Sequence, residues 1–204
     1  MIAALGMPRR GAPWRHGSAY ARRVANTGEQ APPGLTHVDA SGAARMVDVA
    51  GKEVTVRRAV AAGTVRTTSQ VIDLLRRDGL PKGDALAVAR IAGIMGAKKT
   101  PDLIPLCHPI ALHGVEVELR PAHDSVEITA TVRTADRTGV EMEALTAVAT
   151  AGLAVIDMIK AVDPAAAIDS VRVLRKEGGK TGTWVRDEPP LQEAAPDAAP
   201  EEAR

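Results

Sequence analysis

The sequence VEVELRPAHDSVEITATV, residues 115–132, decides the fold. Apolar residues alternate with polar ones in two runs, and the residues between them, 121–124, are typical of a turn. Because successive side chains of a strand point to opposite faces, the pattern predicts a β-hairpin with one buried face.

Further elements are predicted on both sides of this hairpin. The β-branched run within 53–67 predicts a strand, and Ser69 and Asp84 are predicted to cap two helices. Helical periodicity covers 140–162, and a last alternating run spans 168–173. The resulting order is that of the split β-α-β-β-α-β unit. We therefore expect an α+β, ferredoxin-like fold, in which an antiparallel sheet has its helices packed on one face.

The composition indicates how the helices pack. Phe is absent, and there are only two Trp and one Tyr, so the core must consist of aliphatic residues and alanine. In the second helix, the residues expected on the apolar side are Leu86, Ile91, Ile94 and Met95. Small residues such as Gly93 permit close approach. In the long helix, Leu153 is expected among the apolar positions. Thin cores of this kind often gain burial by oligomerising.

The 204 residues divide by composition into a core and two tails. Residues 1–34 hold five arginines and one acid without an apolar period, which predicts a disordered basic extension. A basic arm that binds nucleic acid is the alternative interpretation. Residues 185–204, rich in alanine, proline and acid, are predicted to be a disordered tail. Residues 35–184 then form one ferredoxin-like domain, which would carry any catalytic site.

Several partners and compartments are disfavoured by the sequence. The net charge of +1 creates no global field for nucleic acid or an anionic membrane. No apolar run approaches the ~20 residues of a membrane helix, and the apolar start, residues 1–5, is too short for a signal peptide. The single cysteine, Cys107, allows no internal disulfide. We therefore expect a cytoplasmic protein.

Several common types of functional site are disfavoured because the residues that they require are absent or wrongly spaced. Gly179, Lys180 and Thr181 look like the end of a phosphate-binding loop, but Leu174 stands where its first glycine belongs. No second ligand pair accompanies Cys107, so no metal site is expected. RNA-recognition modules of this fold class stack bases on sheet aromatics, which this chain lacks.

Polar residues nevertheless interrupt apolar patterns. Cys107 and His108 lie between two prolines, where the backbone must be irregular; the histidine could simply be satisfied in a turn. Asp157 and Lys160 share a face of the long helix, either as a surface ion pair or as an acid–base pair tuned by partial burial. Glu143 could stabilise the helix start. Cations that could bind phosphate are Arg57, Lys82, Lys176 and Lys180.

Taken together, several segments of the chain resemble one family. This is the family of the cyclic pyranopterin monophosphate synthases, also called molybdenum cofactor biosynthesis protein C. The resemblance covers 35–183. The segments that carry it are 35–39, 45–49, 82–84, 89–94, 103–109, 138–146 and 176–180. It is most specific in the combination of Ile-Pro-Leu-Cys-His-Pro with Gly-Val-Glu-Met-Glu-Ala-Leu-Thr-Ala.

The resemblance implies a reaction and an assembly. The substrate would be (8S)-3′,8-cyclo-7,8-dihydroguanosine 5′-triphosphate, and the products cyclic pyranopterin monophosphate and pyrophosphate. The implied assembly is a homohexamer, a trimer of dimers. No bound cofactor is implied, although free magnesium could accompany the triphosphate or the pyrophosphate.

By matching motifs, the resemblance implies catalytic roles for Asp157 and Lys160. The positions that match substrate-binding residues are Leu106, Cys107, His108, Met142, Glu143, Lys82, Lys176 and Arg57. The alternative from another functional class is a non-catalytic, ferredoxin-like ligand-binding module.

Helix geometry adds an expectation about the site. Glu143 and Asp157 lie on similar faces but roughly 21 Å apart along a straight helix, so one compact nucleotide can hardly touch both. Either the helix breaks near Gly152, or each residue serves a different pocket that a neighbouring chain completes. We expect the second arrangement, with sites at subunit interfaces.

Overall fold

The computed structural model describes residues 41–77 and 84–187. The elements are β1 (Thr55–Arg66), α1 (Ser69–Arg76), α2 (Ala85–Lys98), α3 (Thr100–Leu103), β2 (Gly114–Pro121), β3 (Ser125–Asp136), α4 (Glu141–Ile159), β4 (Ala167–Glu177) and β5 (Trp184–Val185). The strands form one antiparallel sheet in the order β2-β3-β1-β4-β5. Helices pack on one side of it, which confirms the predicted α+β, ferredoxin-like fold.

Some sequence predictions lie outside the described residues. These are the basic extension, 1–34, most of the tail, 185–204, and the cation Lys82. The boundaries of the ferredoxin-like domain, 35–184, likewise stay predictions.

The hairpin of β2 and β3 has the predicted buried face. Val117 pairs with Ala130 and Leu119 with Ile128, so both apolar runs point to the same side of the sheet. Val117, Ala130 and Ile128 are almost fully buried, and Leu119 packs against the same core. The charged members of both runs occupy the opposite side.

The ends of the helices follow the expected capping chemistry with one difference. The carboxylate of Asp84 accepts a hydrogen bond of 2.9 Å from the Ala87 amide at the start of α2, as predicted. At α1, however, Thr68 rather than Ser69 is the cap, because its hydroxyl accepts from the Val71 amide.

Small residues bring α2 and α4 into close contact. A side chain at Gly93 would meet the Ala147 carbonyl and the Ala151 methyl, and one at Gly96 would overlap Thr150. The buried positions of α2 are accordingly alanine and glycine. The predicted inward placement of the large residues was right for Leu86 and Ile94, which pack against the core. It was wrong for three others: Ile91 is 58%, Met95 59% and Leu153 60% exposed. The narrow space between the helices excludes such side chains.

Helix α4 is the central helix of the core. It packs on β1, β3 and β4 as well as on α2, and ten of its residues are buried. Among the described residues, it is the one helix long and apolar enough to span a membrane. More than half of that apolar window is buried inside the fold, as expected for a core helix.

The last predicted strand is longer than the alternating run that indicated it. β4 continues from the predicted 168–173 to Glu177, and the short β5 pairs with its end. The polar residues after 173 remain in the strand because β1 supplies backbone partners as far as Glu177. Alternation alone could not show this pairing.

We predict that Gly96→Ala destabilises the protein by about 1–3 kcal/mol, because the added methyl would overlap Thr150. Helix propensity alone gives the opposite sign, since alanine is favoured over glycine by about 1 kcal/mol. Urea denaturation measures the free energy of unfolding. The double variant with Thr150→Ala should recover part of the loss, and a stabilised single variant would contradict the packing argument.

Candidate active site

The described candidate site residues fall into two groups at opposite ends of α4. The helix is unbroken from Glu141 to Ile159, so a break near Gly152 is excluded. At about 1.5 Å per residue, Glu143 and Asp157 are then roughly 21 Å apart along the axis. Within one chain, the two groups cannot contact the same compact ligand.

The first group lies where the loop after α3 meets the start of α4. α3 packs against α4, and the Cys107 amide donates to the Ile104 carbonyl at 3.0 Å, which closes a turn. The Nε2 of His108 lies 2.8 Å from the Val47 carbonyl oxygen. A carbonyl can only accept, so Nε2 carries a proton, and in the neutral ring Nδ1 is the nitrogen that can accept from a ligand. His108 thus forms a hydrogen bond within the chain through Nε2, while Nδ1 is the atom with which it could bind a ligand.

Glu143 is the buried acid of this group. Its residue is only 3% exposed. Burial raises the pKa of its carboxyl from the ordinary 4.5 to about 7; a hydrogen bond from the backbone opposes this shift, and the charge of Glu141 adds to it. Burial, and then the charge of Glu143, also raise the pKa of the Cys107 thiol. Glu143 can therefore hold or release a proton near neutral pH.

The other members of the first group are the apolar residues Met142 and Leu106. Met142 is 38% exposed and adjoins Glu143 on α4, whereas Leu106 is half-buried beside Cys107. These apolar side chains could contact the flat ring of a ligand.

The second group is an ion pair at the end of α4. The Nζ of Lys160 lies 2.7 Å from the Asp157 carboxylate, and the side chains are 60% and 58% exposed, respectively. Of the two interpretations that the sequence allowed, the surface ion pair is therefore present. The partial burial expected for an acid–base pair is not found within one chain.

Two of the predicted cations lie beside the start of α4. The Nε of Arg57 donates to the Asp136 carbonyl at 2.8 Å. The Nζ of Lys176 donates to the Thr181 hydroxyl at 2.7 Å and lies 3.7 Å from the Glu141 carboxylate. Both cations line one cavity of about 220 Å³.

The same cavity contains a residue that the sequence did not single out. Lys52 lies in a polar segment before β1 and belongs to no motif, yet it lines the cavity with Lys180. No signal in the sequence marks it. In the part of the chain that the structure describes, no cluster of three or more His, Cys, Asp or Glu could hold a metal ion.

The raised pKa of Glu143 predicts a pH-dependent stability. The folded state binds this proton more tightly than the unfolded chain, so the free energy of unfolding should fall as pH rises through the window from 4.5 to about 7. Glu143→Gln removes this titration. Relative to wild type, the variant should therefore gain stability by about 3 kcal/mol between roughly pH 4 and pH 8.5.

Urea denaturation of both proteins across this pH range measures the difference. Glu118→Gln, which changes an exposed carboxyl on β2, is the control. A wild-type to Glu143→Gln difference that stays constant with pH would show that the native carboxyl titrates normally.

Comparison with known proteins gives one consistent family. The family model described as "MoaC family" matches residues 46–179. A cyclic pyranopterin monophosphate synthase of Streptomyces coelicolor is 63% identical over 164 residues, which cover 80% of this chain and 96% of the relative. That of Streptomyces griseus is 68% identical over 155 residues, 76% of this chain and 88% of the relative.

A relative from another genus has a corresponding name. Cyclic pyranopterin monophosphate synthase 2 of Mycobacterium tuberculosis is 63% identical over 152 residues, which cover 74% of this chain and 91% of the relative. The described candidate site residues from Arg57 to Lys176 lie within the segment matched by the family model, and Lys180 lies one residue beyond it. By these matches and by its fold, the chain belongs to the MoaC family.

Proposed function

We propose that this chain is a lyase, a cyclic pyranopterin monophosphate synthase of molybdenum cofactor biosynthesis. It converts (8S)-3′,8-cyclo-7,8-dihydroguanosine 5′-triphosphate into cyclic pyranopterin monophosphate and pyrophosphate. The observation that carries the proposal is the match to relatives of that name at 62–68% identity. Incubation of the purified chain with this substrate, with an assay of both products, tests it directly.

The residue chemistry agrees with this reaction. Opening and reclosing a purine-derived ring requires protons to move between nitrogen, carbon and oxygen, which acid–base groups can carry. Asp157 and Lys160 are the proposed catalytic pair. Expulsion of pyrophosphate develops negative charge, which fixed cations such as Arg57, Lys176 and Lys82 would stabilise.

The first group of residues would bind the ring end of the substrate. Leu106 and Met142 offer apolar contact, and His108 offers Nδ1 as an acceptor. Glu143 would hold a proton near the working pH. No protein-bound cofactor is required by this scheme, and free magnesium would arrive with the triphosphate.

We further propose that two subunits build each site. Two observations support this: the length of the unbroken helix between Glu143 and Asp157, and the exposure of the Asp157–Lys160 pair. A two-fold axis beside the middle of α4 would bring the second group of one subunit to the first group of its partner. The partner would then supply the burial that the pair lacks within one chain.

The proposed assembly is a homohexamer made as a trimer of such dimers, located in the cytoplasm. The exposed side chains of Ile91, Met95 and Leu153 would gain burial in subunit contacts. Sedimentation or native mass spectrometry measures the assembly independently of activity.

We predict that Asp157→Ala and Lys160→Ala each lower kcat by about 10²–10⁴-fold while the protein stays folded, because both side chains are exposed. The matched control is Lys99→Ala. Lys99 forms an equally spaced, exposed ion pair with Asp102, at 3.1 Å, outside the proposed catalytic pair. Near-normal activity of either the Asp157 or the Lys160 variant would remove that residue from the catalytic pair.

We predict partial recovery of activity when inactive His108→Ala and Asp157→Ala chains are unfolded and co-refolded. In a mixed dimer, one pocket carries both lesions and the other carries neither. Random mixing should therefore restore about one quarter of wild-type activity. His108 is chosen instead of Glu143 because Glu143 is buried and its truncation could disturb folding.

The control mixture combines Asp157→Ala with Lys160→Ala. Both lesions lie in the same group, so every pocket of a mixed dimer keeps one lesion and activity should stay absent. Failure of the first mixture, with mixed oligomers verified by mass spectrometry, would contradict the shared site.

A further inference from the structure

The chain makes a tight turn directly after the proposed catalytic pair. Helix α4 ends at Ile159, and Lys160 is its C-cap, with helical φ and ψ of −57° and −21°. The amides of Val162 and Asp163 both donate to the Ile159 carbonyl, at 2.8 Å and 3.0 Å, respectively. These bonds satisfy a carbonyl that the end of a helix otherwise leaves unpaired. The backbone of Lys160 is therefore part of this turn, and the direction of its side chain depends on the turn.

Asp163 is a buried acid of this turn that the proposed reaction does not use. The residue is only 8% exposed. Both carboxylate oxygens accept a hydrogen bond, Oδ2 from the Thr67 hydroxyl at 2.8 Å and Oδ1 from the Ala165 amide at 3.0 Å. Burial of a carboxylate is costly unless such bonds replace the water that it has lost. The bond to Thr67 ties the end of α4 to a residue 96 positions earlier in the chain.

Thr67 presents its hydroxyl from a backbone that the sheet holds. It directly follows β1, the strand in the middle of the sheet. The last residue of β1, Arg66, pairs with Ser125 of β3 and with Ala167 of β4. The Thr67 amide donates to the Asp124 carbonyl, in the turn between β2 and β3, at 2.9 Å. The bond from Thr67 to Asp163 therefore joins the last turn of α4 to the centre of the sheet.

The side chains of Asp157 and Lys160 depend on this turn because packing does little to fix them. They are 58% and 60% exposed, respectively. The ends of helices are also the parts that open most readily. A displacement of about 1 Å in a reacting group can slow catalysis about 10²-fold. A bond that holds the last turn on the sheet therefore preserves the geometry of the pair.

We propose that Asp163, through its bond to Thr67, is a positioning residue for the catalytic pair. It acts without touching the substrate, because it fixes the turn at residues 159–163 on the sheet. The turn in turn sets where the Lys160 amine and the Asp157 carboxylate lie. The inference rests on the proposed function, since it gives Asp163 a part in the same reaction.

Steady-state kinetics of the full chain with the cyclised GTP derivative test this role. Asp163→Ala and Thr67→Val should each lower kcat about tenfold or more and change KM less than about twofold, because the substrate-binding residues are untouched. Thr64→Val makes the same change at a half-buried residue of β1 and should leave kcat unchanged. An equal loss in this control, or a rise in KM without a loss in kcat, would overturn the assignment.

Asp163→Asn keeps the hydrogen-bonding geometry and removes the charge. The carboxamide oxygen can accept from the Ala165 amide, while the NH₂ group donates to the hydroxyl oxygen of Thr67. We therefore expect kcat to return to within about threefold of wild type. If the folded Asn variant is as slow as Asp163→Ala, the charge of Asp163 acts in the reaction itself, and the positioning role is wrong.

Amide hydrogen exchange measures the turn independently of activity, and so separates this inference from the proposed function. In Asp163→Ala and Thr67→Val, protection of the Lys160 and Val162 amides should fall about tenfold or more, while the Val155 amide, earlier in α4, keeps its protection. Equal losses at Val155 would show general destabilisation and overturn the inference.

The two measurements together assign each failure. If the turn opens as expected but the wild-type chain does not convert the substrate, the anchoring by Asp163 stands and the proposed reaction fails. If the wild-type chain turns over the substrate and neither variant changes the protection of Lys160, the positioning role alone is wrong.

Discussion

The close approach of α2 and α4 is the constraint on which the rest of the structure depends. Gly96 has no room for another carbon beside Thr150, and a Cβ atom on Gly93 would lie 3.0 Å from the Ala147 carbonyl oxygen and 3.2 Å from the Ala151 methyl. Helix α4 also packs on β1, β3 and β4. Each small residue buries little apolar area, so the stability of the core comes from the closeness of many contacts.

The unbroken α4 separates the candidate site residues into two groups. Its first turn lies among cations, a buried acid and the Cys107–His108 loop, whereas its last turn carries an exposed acid and base. Neither end is a complete acid–base site: the first lacks an exposed proton-transfer pair, and the second lacks burial and phosphate-binding cations. This division supports the proposed arrangement in which subunits exchange ends, since symmetry then completes two pockets at once.

The sequence predicted those features that depend on local pattern. The hairpin was predictable because both runs alternate strictly, and the Asp84 cap because its side chain bonds within one turn. The directions of Ile91, Met95 and Leu153 were not, because a helix that is apolar on several sides does not reveal which side meets a neighbour. Which side of α2 faces α4 depends on the glycines and alanines that let the two helices approach each other.

The candidate site shows the same limit. Resemblance supplied the residues at both ends of α4, and counting residues along the helix predicted their separation. Neither the resemblance nor the counting indicated Lys52, which lines the cavity because the chain before β1 passes beside the loop after β4. The fixed guanidinium of Arg57 was equally invisible, because it depends on a glycine more than one hundred residues away in the chain.

The first turn of α4 places two carboxylates in opposite electrostatic surroundings. Glu141 and Glu143 are two residues apart, so their side chains are directed about 200° apart around the helix. Glu141 therefore reaches Lys176 in the cavity, while Glu143 enters the interior, where burial raises its pKa to about 7. The raised pKa of Glu143 thus follows from the direction that the helix imposes on its side chain.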